Sequence, residues 1–185
     1  MEKTNEINLL TKECILTALL RLMDEKPYEN ITITDITSLA GVSRMAYYRN
    51  YKSKDDILID KLMEEERKLE ESIPLKDDVS FYDVILYVSD FIQENADVIN
   101  ALYSAGLGYR LTDMLSDRIY NYFPVITVLK EGKYAVSFYV GAILSVFKLW
   151  INGGMIETAE EISKIIYMLV DRENALEYAV LPDEK

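Results

Sequence analysis

The residues best suited to chemistry lie in one short basic segment, residues 43–54. It holds four cations and three tyrosines but no acidic residue, namely Arg44, Tyr47, Tyr48, Arg49, Tyr51, Lys52 and Lys54. A guanidinium group can bond a guanine edge bidentately, and tyrosine and lysine side chains can bond phosphates. An ordinary solvated surface would leave the lack of acidic residues unexplained. The segment therefore favours contact with a nucleic acid.

The rest of the sequence lacks the residues that most catalytic sites need. No His is present, which excludes a His-based triad, a His metal site and an imidazole general base. Cys14 is the single cysteine, so neither an intrachain disulfide nor a zinc site with paired cysteines can form. The sequence also has no Gly-rich phosphate loop. We therefore expect no catalysis, no cofactor and no metal site.

Charge is spread unevenly along the 185 residues. The chain has 20 basic and 32 acidic residues and a net charge of −12. Residues 1–62 hold nine basic against ten acidic residues, whereas residues 63–185 hold eleven against twenty-two. Because an acidic body repels phosphate, nucleic-acid contacts should be confined to the first third. The acidity would also aid solubility, and that simpler explanation is compatible with this one.

Composition favours a soluble, helical protein in a reducing compartment. Half of the residues are apolar, while only seven Gly and four Pro leave little room for an all-β fold with many turns. The charged N-terminus has no signal-peptide core. The longest uncharged apolar-rich run, residues 134–147, is too short to span a bilayer. We therefore expect a cytoplasmic location and no membrane association.

Apolar spacing and capping signals divide the first third into helices. The predicted helices cover residues 9–23, 32–40, 43–50 and 54–74, with Thr32 and Ser43 as N-caps and Gly41 in the left-handed turn. Their expected buried residues are Leu10, Ile15, Leu19, Leu22, Ile36, Leu39 or Ala40, Val42, Tyr47 and Tyr51. Two short helices joined by a Gly turn and braced by a longer helix predict a helix-turn-helix.

The segment ITITDITSLAGVSRMAYYRNYKSKDDIL, residues 31–58, resembles the N-terminal signature of the TetR family of transcriptional regulators. The matching features are Thr-x-x-Asp-Ile, the Ala-Gly-Val-Ser turn, Tyr48-x-x-Tyr51 in place of the usual Tyr-x-x-Phe, and Lys-Ser-Lys before the fourth helix. Asn50 replaces the usual His, and because of Met45, Ala46 and Asn50 the operator sequence is not readable from these residues. The likeness is dense over residues 10–60, and the order of elements agrees to the end of the chain.

The resemblance implies two groups of DNA-binding residues. Residues that match phosphate contacts of the family are Thr32, Thr34, Tyr48 and Lys54. Residues that match its base-facing positions are Arg44, Met45, Ala46 and Arg49. The helical pattern also turns Arg44, Met45, Tyr48 and Arg49 outward. Ser43 and Lys52, in the same basic segment, complete the candidate DNA-binding set.

The C-terminal part is predicted to be a helical body that forms a dimer. Helices are expected over residues 80–94, 97–105, 109–122, 133–152 and 158–172. Since residues 133–152 are apolar nearly all round, they need cover on every side, most simply from a second copy. Gly141 and Ser145 are candidate interface residues, and the motif that contains them resembles the TetR-family helix that pairs across the dimer. Alternatively, Gly141 accommodates an internal neighbour.

The resemblance also implies an effector pocket among the helices near residues 80–94, 109–122 and 133–152. Candidate pocket residues are Phe91, Tyr122, Phe147 and Trp150. The absence of acidic residues on the apolar faces favours a neutral, hydrophobic small molecule. Ordinary core packing is the alternative explanation for these aromatic side chains.

Together these observations predict an all-α protein. An N-terminal three-helix helix-turn-helix DNA-binding domain, residues 1–55, would be joined to a C-terminal helical ligand-binding and dimerisation domain, residues 56–185. The expected function is that of a ligand-responsive repressor that binds a palindromic double-stranded DNA operator as a homodimer. A second hypothesis keeps the fold but removes specific DNA binding, leaving a helical sensor or adaptor that acts through protein partners.

Overall fold

The computed structural model describes residues 2–72, 80–122 and 132–170, and the side chains of residues 7–71, 80–117 and 132–170. These residues form nine α-helices and no strand. The helices are α1 (Glu2–Glu25), α2 (Ile33–Ala40), α3 (Arg44–Asn50), α4 (Asp55–Ser72), α5 (Phe81–Glu94), α6 (Ala96–Ser104), α7 (Tyr109–Tyr122), α8 (Gly132–Asn152) and α9 (Ala159–Val170). A 3-10 turn, Tyr28–Asn30, precedes α2. The chain divides into two compact units, Met1–Lys68 with Asp97–Arg110, and Leu69–Ala96 with Leu111–Lys185.

In the first unit, α1 packs against both α2 and α3. One face of α1 supplies Ile15, Ala18, Leu19 and Leu22, all buried, at the three- and four-residue spacing of a helix. Other buried residues of the unit are Ile36, Tyr47, Tyr51, Ile57 and Leu58. The helix-turn-helix that the sequence predicts is therefore present, and both Tyr47 and Tyr51 are buried as expected.

Some of the expected core residues in this unit are not buried. Leu10 is 61% exposed and Leu39 is 47% exposed, and both line an open groove between α1 and α2. Ala40, the alternative to Leu39, and Val42 are half-buried. With eight residues, α2 is about 12 Å long, whereas α1 has 24 residues and is about 36 Å long. Both Leu10 and Leu39 are exposed at the same groove between α1 and α2.

Local signals shape the turn between α2 and α3. The Thr32 hydroxyl accepts the N–H of Asp35, and the Asp35 carboxylate accepts the N–H of Thr32, which forms a complete capping box. Gly41 ends α2 at φ 66°, a left-handed conformation that a side chain disfavours. Ser43 then caps α3 by accepting the N–H of Ala46. The turn is thus specified by residues within and beside it.

The second unit is built around α5, α8 and α9. One apolar face of α5 is buried throughout, namely Val84, Ile85, Val88, Phe91 and Ile92. Where α5 meets α9, Ser163 donates to the hydroxyl of Ser89 at 2.7 Å, and both side chains are fully buried. Helix α9 buries the face that carries Ile162 and Ile166, whereas Ile165 and Leu169 on the same helix are exposed.

Helix α8 is longer than the uncharged run within it. It continues through Lys148 to Asn152, so its 21 residues contain an 18-residue window with a mean hydropathy of 1.6, and the helix passes the length and composition test for a membrane span. The uncharged run within it, residues 134–147, remains shorter than a membrane span, but the helix extends past this run because a single lysine does not interrupt a helix. The core helix of a globular protein passes the same test, so the finding by itself assigns no membrane role.

The hydroxyl of Tyr47 provides a test of core stability. It is buried and has no hydrogen-bond partner among the described residues, and burial raises the pKa of Tyr47 to about 12. Since an unsatisfied buried polar atom destabilises a core, Tyr47→Phe should raise the free energy of unfolding by about 1 kcal/mol. Urea unfolding would show a higher midpoint with an unchanged slope.

A matched control is available in the same core. The Tyr51 hydroxyl donates to the Asp60 carboxylate at 3.1 Å, so Tyr51→Phe should lower the midpoint. If Tyr47→Phe also lowered it, the Tyr47 hydroxyl would have a bonding partner in solution.

Candidate nucleic-acid interface

The basic segment is largely exposed on the first unit. Of the ten candidate DNA-binding residues, eight are exposed: Thr32, Thr34, Ser43, Arg44, Met45, Tyr48, Arg49 and Lys52. Met45 is 75% exposed and Tyr48 is 53% exposed, although large apolar side chains are usually buried. Ala46 and Lys54 are half-buried. The outer face of α3 therefore presents two guanidinium groups, a thioether and a phenol.

Arg44 is oriented by a contact between α2 and α3. Its Nη2 donates to the hydroxyl of Thr34 at 2.8 Å. Arg49 is exposed and makes no hydrogen bond or ion pair within the described residues. The two arginines therefore differ: Arg44 is held in one direction before any ligand binds, whereas the guanidinium group of Arg49 is available to a ligand without breaking an internal bond.

Acidic residues border this surface, and two of them have internal partners. Lys26 donates to Asp35 at 2.7 Å and, together with the N–H and hydroxyl of Thr32, lowers the pKa of Asp35 to about 2. Asp56 accepts the main-chain N–H groups of Ser53 and Lys52 at 2.9 and 2.8 Å, and these bonds lower its pKa. Those two N–H groups are thus already occupied, which leaves phosphate binding there to side chains.

Lys54 is placed differently from the other candidates. Its ammonium group donates to the main-chain carbonyls of Tyr28 and Ile31 and lies 4.2 Å from the centre of the Tyr28 ring. The Tyr28 hydroxyl in turn donates to Asp55. No sequence signal marked Tyr28, because its partners Lys54 and Asp55 lie 26 and 27 residues away and the stretch around it showed only a helix break.

In the second unit, the candidate interface residues lie on an exposed stripe of α8. The stripe consists of Tyr134, Phe138, Gly141, Ala142, Ser145 and Leu149. Tyr134, Phe138 and Leu149 are 68%, 71% and 74% exposed. A Cβ atom added to Gly141 would meet no heavy atom within 4 Å. Gly141 therefore accommodates no neighbour within the described part of the chain, which argues against the alternative explanation for this glycine.

The described residues of the region expected to hold an effector enclose little space. A cavity of about 10 Å³ lies between α5, α7 and α8, lined by Phe81, Val84, Ile85, Val88, Leu115, Ile143 and Phe147. Of the four candidate pocket residues, Phe147 lines this cavity. Phe91 and Trp150 are buried but do not line it, and the Tyr122 side chain lies outside the described residues. Small-molecule sites usually measure about 300–1,000 Å³, so this cavity among the described residues is much smaller than such a site.

The geometry defines a class of protein, a helix-turn-helix protein with a helical C-terminal body. Residues 15–60 match the family described as bacterial regulatory proteins, tetR family. Residues 80–172 match a second TetR model, described as a transcriptional regulator C-terminal region. The chain belongs to the TetR family of transcriptional regulators. The expected all-α fold, with its two helical parts, is confirmed.

Solved structures of similar fold cover nearly the whole chain. A TetR transcriptional regulator from Streptococcus agalactiae 2603V is 22% identical, with a TM-score of 0.66, 92% of this chain covered and 99% of that one. A TetR-family regulator from Syntrophomonas wolfei is 20% identical, with a TM-score of 0.62 and coverage of 94% and 98%. The dihydroxyacetone kinase operon activator DhaS is 16% identical, with a TM-score of 0.59 and coverage of 91% and 98%. No curated protein matches the chain.

Proposed function

We propose that this TetR-family regulator is a ligand-responsive repressor that binds a palindromic operator as a homodimer. The observation that carries the proposal is the exposed outer face of α3, which is basic, free of acidic residues and attached to an otherwise acidic chain. Residues 1–55 would bind DNA, and residues 56–185 would bind the effector and dimerise. The protein would act in the cytoplasm and would catalyse no reaction.

The candidate DNA contacts divide into two groups. Arg44 and Arg49 would bond base edges in the major groove, where Met45 and Ala46 would add apolar contacts. The candidate phosphate contacts, which fix the register of α3 on the duplex, are Thr32, Thr34, Ser43, Tyr48 and Lys52. Since Thr34 already holds Arg44, the guanidinium group would enter the groove with little further loss of side-chain freedom.

Dimerisation is supported by the exposed stripe on α8. Its residues recur at spacings of three and four, so they share one side of the helix. Exposed apolar residues on α9, Ile165 and Leu169, are also four apart. A two-fold pairing of such surfaces would bury these residues and would present two α3 helices to successive major grooves, which a palindrome requires.

DNA binding should depend strongly on salt. Each phosphate that the dimer neutralises contributes a slope of about −0.9 to a plot of log K against log salt concentration. Fluorescence anisotropy with the DNA upstream of the chain's own coding sequence, set against random DNA, would measure both the slope and the specificity. Equal affinity for the two DNAs at all salt concentrations would contradict the proposal and favour the adaptor hypothesis.

Repression is tested separately from binding. The same fold is found in DhaS, which is named as an operon activator, so the fold alone does not fix the direction of regulation. A promoter–reporter fusion should give lower expression in the presence of the chain and recovery with Arg44→Ala. Higher expression with the wild-type chain would make it an activator.

The effector is proposed to be a neutral, hydrophobic small molecule that enters between α5, α7 and α8. Trp150 is the single tryptophan, and its ring lies 6.3 Å from that of Phe147, which lines the cavity. A hydrophobic compound that binds there should quench Trp150 fluorescence and release DNA with the same midpoint, while its charged analogue should do neither. Quenching without any change in DNA affinity would make the site incidental.

A further inference from the structure

Lys54, the residue before α4, has its ammonium group bound inside the chain. It donates to the carbonyl of Ile31 at 3.0 Å and to the carbonyl of Tyr28. The same group lies 4.2 Å from the centre of the Tyr28 ring, within the range of a cation–π contact. Since an ammonium group has three N–H donors, two are already used.

Tyr28 makes a second contact with the start of α4. Its ring is buried, and its hydroxyl donates to the carboxylate of Asp55. Burial, followed by the bond to Asp55, raises the pKa of Tyr28 above its usual value, so the hydroxyl keeps its proton at neutral pH. We call Tyr28, Ile31, Lys54 and Asp55 the Tyr28 clamp. It joins the turn before α2 to the first residues of α4.

A phosphate contact that drew the Lys54 ammonium away from these carbonyls would break this arrangement. Ile31 is 3% exposed, so its carbonyl has little access to water if the ammonium leaves. The Tyr28 carbonyl also accepts the N–H of Ile31, so the Ile31 carbonyl is the one that would lose its partner, and an unpaired buried carbonyl is costly. By contrast, Lys52 is exposed, and its ammonium group makes no hydrogen bond or ion pair within the described residues.

We infer that Lys54 is a positioning residue for DNA binding and that it acts through the Tyr28 clamp instead of through a phosphate. The carbonyl of Ile31 immediately precedes Thr32, the N-cap of α2, and α2 holds Arg44 of α3 through Thr34. The clamp therefore fixes the start of α2, and with it α3, against α4. This inference rests on the proposed DNA binding and deepens it.

The salt dependence of DNA binding separates the two roles, with Lys52→Ala as the matched control. Loss of a phosphate contact makes the slope of log K against log salt concentration less negative, by about 0.9 per subunit or about 1.8 for a dimer. Lys52→Ala should show that change. Lys54→Ala should weaken operator binding by about tenfold or more, the size expected for a lost charge-assisted hydrogen bond, with an unchanged slope. An equal loss of slope in both variants would overturn the inference.

A second variant tests the clamp in case Lys54→Ala fails to fold. Tyr28→Phe removes the bond to Asp55 and touches no candidate DNA contact other than Lys54, so it should also weaken binding without altering the slope. All variants are compared at a temperature at which circular dichroism shows them folded. Unchanged operator affinity in both Tyr28→Phe and Lys54→Ala would contradict the clamp.

Amide hydrogen exchange tests the clamp independently of DNA. The amide of Ile31 and those of the first turn of α2 should exchange faster in Lys54→Ala than in the wild type or in Lys52→Ala. If the wild-type chain bound no specific DNA, the proposed function would fail, and the exchange rates alone would then decide whether the clamp exists. Equal exchange rates in the wild type, Lys52→Ala and Lys54→Ala would show that the Tyr28 clamp does not hold the start of α2.

Discussion

Gly141→Leu is expected to convert the proposed dimer into a monomer and to abolish the proposed operator binding. Gly141 lies within the exposed stripe of α8, and a Cβ atom there meets no heavy atom within 4 Å. The substitution should therefore leave the fold of the single chain intact. Against a second copy, however, overpacking costs about 1–3 kcal/mol at each of two symmetry-related positions, which weakens association roughly thirtyfold or more.

Sedimentation equilibrium measures the change directly, and thermal melting reports on the fold. Gln93→Leu is the matched control, because it adds a similar apolar group at an exposed position of α5 outside the stripe. This variant should stay dimeric. A Gly141→Leu protein that remained fully dimeric would place the interface elsewhere, and one that unfolded without dissociating would show that the glycine serves the chain's own packing.

Arg44→Ala is expected to relax discrimination at one base pair in each half-site. Loss of a bidentate bond to a base costs about 1–3 kcal/mol on the correct sequence and little on random DNA. The measurement is the ratio of the affinity for the operator to the affinity for random DNA, both taken at one fixed salt concentration. An unchanged ratio in Arg44→Ala would show that Arg44 does not read a base.

Thr34 supplies the matched comparison for Arg44. Thr34→Val keeps the shape of the side chain but removes the oxygen that accepts from Arg44 at 2.8 Å, whereas Thr34→Ser keeps it. Thr34→Val should therefore lower the same ratio, Thr34→Ser should preserve it, and the double variant with Arg44→Ala should be no worse than Arg44→Ala alone. A uniform loss of affinity for all DNA would instead mark Thr34 as a phosphate contact only.

The helix-turn-helix was predictable from the sequence because its signals act over a few residues. Thr32 pairs with Asp35, Gly41 supplies the left-handed turn, and Ser43 caps α3. Such capping and turn preferences depend on neighbours in the chain, so they are readable before any tertiary contact is known. The exposure of Arg44 then follows from the helical period once α3 is placed.

The partners of individual apolar and charged side chains were not predictable in this way. Leu10 has the spacing of a core residue, yet it is exposed because it borders an open groove between α1 and α2. Lys54 belongs to the basic segment by composition, but it binds the carbonyls of Tyr28 and Ile31, which lie 26 and 23 residues away in the chain. Helical spacing and composition describe one segment at a time. Burial and hydrogen bonding instead depend on which distant segment packs against it, and that is fixed only when the whole core forms.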